Sequence, residues 1–128
     1  MTILYLAGPY TNGNAARRAA RFNAVTTVAA RLIEQKKIVF SPLTMTHPID
    51  LVLAADGETL GSEYWVTFDE AFMSFCDEFA IVTLPGWEES TGVRRETAFF
   101  RARGIEPTIL RPEDYGVTAA DECYTAAF

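Results

Sequence analysis

Four short apolar runs, separated by segments of helical periodicity, constrain this chain more than any other feature. "TILYLAGPY" ends in Gly8-Pro9 and reads as a buried strand feeding a loop. After "TNGN" an Ala-rich helix is expected over about 14–35, with Lys36 and Lys37 near its negative end. "KIVFSPL" reads as a second strand stopped by Pro42, and "HPIDLVLAADGETLG" as a short helix followed by a flexible loop. A helix over about 62–77, the strand "FAIVTL", a helix over about 91–103 ended by Gly104, and a last strand "IEPTIL" complete the pattern. The tail, 111–128, is acidic and partly irregular, and no repeat or low-complexity segment interrupts the series.

Strands and helices that alternate with short connections imply an α/β fold: a flavodoxin-like or Rossmann-like parallel sheet with helices on both faces. A length of 128 residues fits one such domain. Right-handed crossovers gather the loops that follow the strands at one sheet edge, where ligands of these folds bind. The loops at 8–13, 41–47 and 84–92 are therefore expected to meet.

Charge narrows the partners. A net charge of −6 argues against nucleic acid, whose phosphates need clustered Lys and Arg, but leaves room for one small anion held by local arginines. Cys76 and Cys123 lack metal-ligand spacing and read as two buried or stray thiols in a reducing compartment; no metal or organic cofactor is expected. The strand beginning just after Met1 leaves no leader pattern, and no apolar run approaches membrane-spanning length. The expectation is a cytoplasmic protein with no membrane partner.

Two carboxylates occupy unusual positions. In "SEYWVTFDEAFMSFCDE", plotted at about 100° per residue, Trp65, Phe68, Phe72, Phe75 and Cys76 form one apolar stripe with Met73 at its margin. Asp69 falls inside that arc, where a carboxylate is costly unless paired or neutral. The plain alternative is a helix-edge Asp that reaches solvent or caps a loop. In "LPGWEESTGVRRE", Glu96 lies beside the face shared by Val93, Thr97 and Phe100. Proximity to a helix N-terminus favours its ionised form, which makes it a candidate nucleophile. A capping box is the alternative, but Ser90 to Glu96 is too long a spacing for one.

The first helix raises a related question. Arg18 and Arg21 share a side with Val25, Val28 and Leu32, at the end that adjoins the Gly8 loop. They either snorkel to solvent or reach an anion held by that loop and the helix N-terminus. "AGPYTNG" has neither the P-loop lysine nor the spacing of a dinucleotide fingerprint, which argues against ATPase and NAD readings. His47, the only histidine, precedes a proline and reads as a loop residue with a minor role.

"YLAGPY" after the first strand, an Asp in the third helix and "STGVRRE" together resemble the nucleoside 2-deoxyribosyltransferase superfamily. The resemblance is nearer to its nucleoside 5′-monophosphate N-glycosidase branch and small bacterial or phage relatives, and it covers Ile3 to about Pro107. It implies that Glu96 attacks the anomeric carbon, that Asp69 handles the leaving base, and that Tyr5 lies near the sugar and orients Glu96. Gly8, Pro9, Tyr10, Asn12, Arg18, Arg21, His47, Ser90 and Gly92 form the expected substrate-binding set. Ser90 stands where transferases acting on free nucleosides carry an acidic residue; a hydroxyl can donate to a phosphate that a carboxylate would repel.

The monophosphate hydrolases also take a phosphate-binding Ser from a neighbouring subunit. This chain has no Ser after Ser90, leaving Thr118 or Arg111 as substitutes. "LPG…TG…E" is similar as well to the cytokinin-activating phosphoribohydrolases, without their paired-glycine turn. The expected activity is hydrolysis of a nucleoside 5′-monophosphate by a homodimer or dimer of dimers. Base exchange between nucleosides and a non-catalytic nucleotide sensor are the alternatives.

Overall fold

Period-two alternation in the apolar runs builds a sheet with two distinct faces. The computed structural model describes residues 1–58 and 60–117. The strands are β1 (Ile3–Ala7), β2 (Ile38–Phe40), β3 (Glu78–Val82) and β4 (Thr108–Leu110). The helices are α1 (Ala15–Glu34), α2 (Pro42–Ala55), α3 (Ser62–Met73) and α4 (Thr91–Ala102), and a 3-10 helix follows at Pro112–Tyr115. All strand pairs are parallel, in the order β2-β1-β3-β4. This is the flavodoxin-like arrangement, and its strand order reverses between β1 and β3.

Alternate residues of the central strands supply two cores. Leu4, Leu6, Ala80 and Val82 pack with Val25, Val28 and Leu32 of α1 and with Leu43. Tyr5, Ala7, Phe79 and Ile81 face the other way, toward Met73, Val93 and Phe100. Phe79 stacks on Phe100 at 4.6 Å, and Tyr5 lies 5.5 Å from the same ring. Burying a side chain of this size contributes roughly 1.5–3 kcal/mol. The floor on which Tyr5 sits is therefore rigid.

The local signals explain most boundaries. Asn14 caps α1 by accepting from Arg17 N at 3.1 Å. Gly104, with φ of 77°, follows the end of α4. Pro107, which lacks an N–H for the ladder, precedes a β4 shorter than "IEPTIL" suggests.

Two expectations need correction. Pro42 does not merely stop a strand: it is the first residue of α2, where a missing N–H costs nothing, and the helix runs on through Pro48. His47 is thus helical and buried, not a loop residue. The third helix ends at Met73, and residues 74–77 turn into β3, with Asp77 N bonded to Ile3 O at 2.8 Å. The early stop changes which side is buried. Met73 is fully buried, while Phe72 and Phe75, expected in the apolar stripe, are 37% and 75% exposed.

Candidate active site

The reversal of strand order places the loops after β1 and β3 side by side. Gly8 follows β1 where a Cβ would come within 2.7 Å of Val25 Cγ2, so only glycine lets the chain leave the strand this close to α1. After β3, residues 84–87 form a β-turn: Trp87 N bonds Leu84 O at 3.0 Å, and Gly86 has φ of 90°. Proline at the second position and a positive-φ glycine at the third match a type II turn. Ser90 then caps α4, its Oγ accepting from Val93 N at 3.2 Å. That use of a lone pair leaves the hydroxyl proton able to donate. The N–H groups of Thr91 and Gly92, the first two of α4, have no intrahelical acceptor.

These segments, α2 and α3 enclose a cleft of about 1270 Å³. Gly8, Tyr10, Asn12, Arg18, Arg21, Asp69, Ser90, Gly92 and Glu96 line it together. Tyr5, Pro9 and His47 lie behind its wall. The three predicted segments therefore do meet, with Pro42, Leu43 and Thr46 on the wall, but 41–47 is the cap and first turns of α2 and not a loop.

Glu96 sits at the bottom. It is 6% exposed, and its Oε2 accepts a short hydrogen bond from the Tyr5 hydroxyl. Burial pushes its carboxyl up to about 7; the Tyr5 bond opposes the shift, Asp69 adds to it, and Arg95 opposes it. The helix-end position was expected to favour an ionised Glu96, but desolvation outweighs that effect here. Tyr5 is itself driven above its ordinary value, first by burial and then by Glu96. Asp69 is raised to about 6 by burial, against the pull of Arg95. Asp69 Oδ1 and Arg95 Nε are both buried, with no hydrogen-bond partner among the described residues.

The other arginines are engaged by the loops. Arg18 Nη1 donates to Asn12 O. Arg21, 4% exposed, donates from Nη1 to Thr11 O at 3.1 Å and from Nη2 to Pro85 O at 3.3 Å. Its guanidinium spans both loops, so bracing them is part of its role.

His47 stands behind Tyr10, its Nδ1 2.6 Å from the phenol oxygen and its ring stacked on Phe22 at 4.5 Å. Burial lowers its pKa, opposed by Asp50. A neutral imidazole accepting from Tyr10 fits that environment. His47 positions Tyr10 and does not border the cleft itself.

Three expectations have different outcomes. Cys76 is buried, with its thiol raised to about 11 by burial, as suits an unreactive core residue. Arg111, expected to serve a neighbouring subunit's site, lies off its own cleft and pairs with Glu113 at 3.3 Å on the surface, which leaves that expectation open. Thr118, Cys123 and the "CYTAAF" tail lie outside the described residues. Sequence reasoning overlooked Arg95 and Asp50, both on the cleft wall. The adjacency of Arg95 to Glu96, and the one-turn step from His47 to Asp50, were the available signals.

Fold and cleft together define a flavodoxin-like α/β protein that carries a carboxylate pair at its topological switch point. The chain belongs to the family described as a domain of unknown function (DUF1937), which it matches over residues 2–111. That span takes in every strand and every α-helix of the described residues. No curated protein matches the chain. Among the described residues, no helix is long and apolar enough to cross a membrane, and no group of His, Cys, Asp and Glu could hold a metal ion.

Proposed function

We propose that the protein hydrolyses the N-glycosidic bond of a nucleoside 5′-monophosphate, releasing free base and sugar phosphate. The observation that carries this reading is the Tyr5–Glu96 hydrogen bond at the buried floor of the cleft, with Asp69 on the wall. Two carboxyls with different surroundings beside an open cleft fit the chemistry of glycoside cleavage.

In the first step a Glu96 oxygen bonds to the anomeric carbon as the carbon–nitrogen bond breaks. The electron pair leaves with the base, which takes a proton from Asp69. Water then attacks the same carbon, giving a proton back to Asp69 and freeing Glu96.

This step needs Glu96 ionised and Asp69 protonated, whereas burial alone makes Glu96 the weaker acid of the two. The carboxyls titrate as a coupled pair, and the substrate redistributes their proton. Positive charge developing at the sugar stabilises ionised Glu96, as does the Tyr5 hydroxyl. A base acceptor against Asp69 favours its protonated form.

The phosphate is proposed to sit at the N-terminus of α4, against the Ser90 hydroxyl and the N–H groups of Thr91 and Gly92. Arg18 and the loop at 8–13 border the same cleft. The exposed aromatic surface at Tyr64, Phe72 and Phe75 supports assembly as a homodimer or dimer of dimers. Light scattering that finds only monomer in a fully active sample would refute that assembly. The activity itself is tested by incubating the protein with a panel of ribo- and deoxyribonucleoside 5′-monophosphates and separating the products. Free base with sugar phosphate supports the reading; an exchanged base, or ligand bound and left intact, rejects it.

A further inference from the structure

Arg95 has no part in the scheme above, yet it borders the cleft next to the two carboxylates. Its Nε–H is buried, as is Asp69 Oδ1, and neither finds a hydrogen-bond partner among the described residues. Buried polar atoms are rarely left so, and two orphaned groups lining one cleft, from α3 and α4, point to a ligand that completes both. An arginine side chain offers donors only, and protonated Asp69 offers a donor through its carboxyl proton. Asp69 lies near enough to Arg95 to feel its charge, and both line the cleft, so together they present two donors.

We infer that Arg95 is a specificity-determining residue which, with Asp69, selects nucleobases that present two adjacent hydrogen-bond acceptors. This rests on the proposed role of Asp69 as the acid toward the base. The O6/N7 edge of a 6-oxopurine meets the requirement; the N6/N7 edge of a 6-aminopurine places an amino donor against a donor. Among pyrimidines, the O2/N3 edge of cytosine meets it, whereas uracil carries a hydrogen on N3. No rotation of the Arg95 guanidinium turns a donor into an acceptor, so the mismatched base leaves a buried donor unsatisfied.

The test uses the Glu96→Ala variant, so that binding is read without turnover. Inosine and adenosine 5′-monophosphates are compared by calorimetry, then cytidine and uridine 5′-monophosphates. The first member of each pair should bind about tenfold to a hundredfold more tightly. Adding Arg95→Met should bring each ratio close to one. Arg95→Gln, which can present an acceptor oxygen, should also erode the preference, and it serves if the Met variant does not fold. Tighter binding of the adenosine or uridine member would overturn the inference. Equal weakening of all four ligands with unchanged ratios would overturn it too, marking Arg95 as a phosphate or packing residue. Binding without discrimination overturns this inference alone; no binding of any of the four, with no base release by the unmutated protein, overturns the proposed function as well.

Discussion

Glu96 and Asp69 border one cleft but are held in opposite ways. Glu96 belongs to α4, whose Val93 and Phe100 are locked into the core beneath β1 and β3, and its carboxyl is pinned by Tyr5. Asp69 belongs to α3, where Met73 is the one buried residue and the aromatic side chains pack mainly against one another, edge-on or tilted. Phe40 stacks on Phe72 at 4.6 Å and ties that row to β2. On the proposed mechanism the contrast divides two jobs. An attacking group must be fixed relative to the sugar, whereas an acid can ride on a lightly anchored helix.

The most severe way to break this arrangement is at its fixed side. Glu96→Ala should reduce base release by at least about a thousandfold while nucleotide still binds, as separated kinetic and binding assays would show. Turnover at the normal rate would end the nucleophile assignment. At the lightly anchored side, Asp69→Asn should cost about 10²–10⁴-fold in kcat. The loss should be smallest for bases that leave readily without a proton, which a leaving-group series measures.

If the α4 N-terminus holds the phosphate as proposed, it should separate nucleotides from nucleosides. Charge-assisted hydrogen bonds there contribute on the order of 1.5–3 kcal/mol each, so a monophosphate should exceed its nucleoside by roughly a hundredfold in kcat/KM. Ser90→Ala should shrink that ratio. Equal rates on the two substrates would point to a nucleoside enzyme instead.

The smallest effect is on stability. Burial raises the carboxyl of Glu96 from 4.5 to about 7, so the folded state holds its proton more tightly than the unfolded chain does. Its favourable contribution is full below about pH 4.5 and is lost as pH rises toward 7; Asp69 has the same sign. Glu96→Gln, neutral at every pH, should therefore be more stable than the unmutated protein by about 1–3 kcal/mol at pH 8. The gap should close toward pH 4.5 in parallel thermal melts. A gap independent of pH would show that Glu96 carries no strain of ionisation.

The contrast between the two helices also explains what could be read from the residues alone. Strands β1 and β3 and helices α1 and α4 are legible because strong periodicity, capping residues and deep burial agree. Around α2 and α3 the signals compete. Proline serves both as a strand stop and as a helix start, and Pro42 is the latter. Of the aromatic residues spaced for a buried stripe, Trp65 and Phe68 are only half-buried and Phe72 and Phe75 are exposed, because the helix ends a turn early and Met73 takes the core position. Glu96 and Asp69 stood out as carboxylates among apolar neighbours. Arg95 did not, since an arginine beside a glutamate in a helix resembles ordinary surface charge.

Arg21 sets a physical limit on what the cleft can do. Its guanidinium ties the carbonyl of Thr11 in one loop to that of Pro85 in the other. The two lips are thus sutured at a span fixed by one planar group, a geometry that lysine's single ammonium cannot reproduce. The mouth of the cleft behaves on this side as a ring of set gauge, not as a jaw. Ligands that differ in bulk must find their extra room at the opposite wall, along α2 and α3, and it is there that variation among related chains would retune the size of what enters.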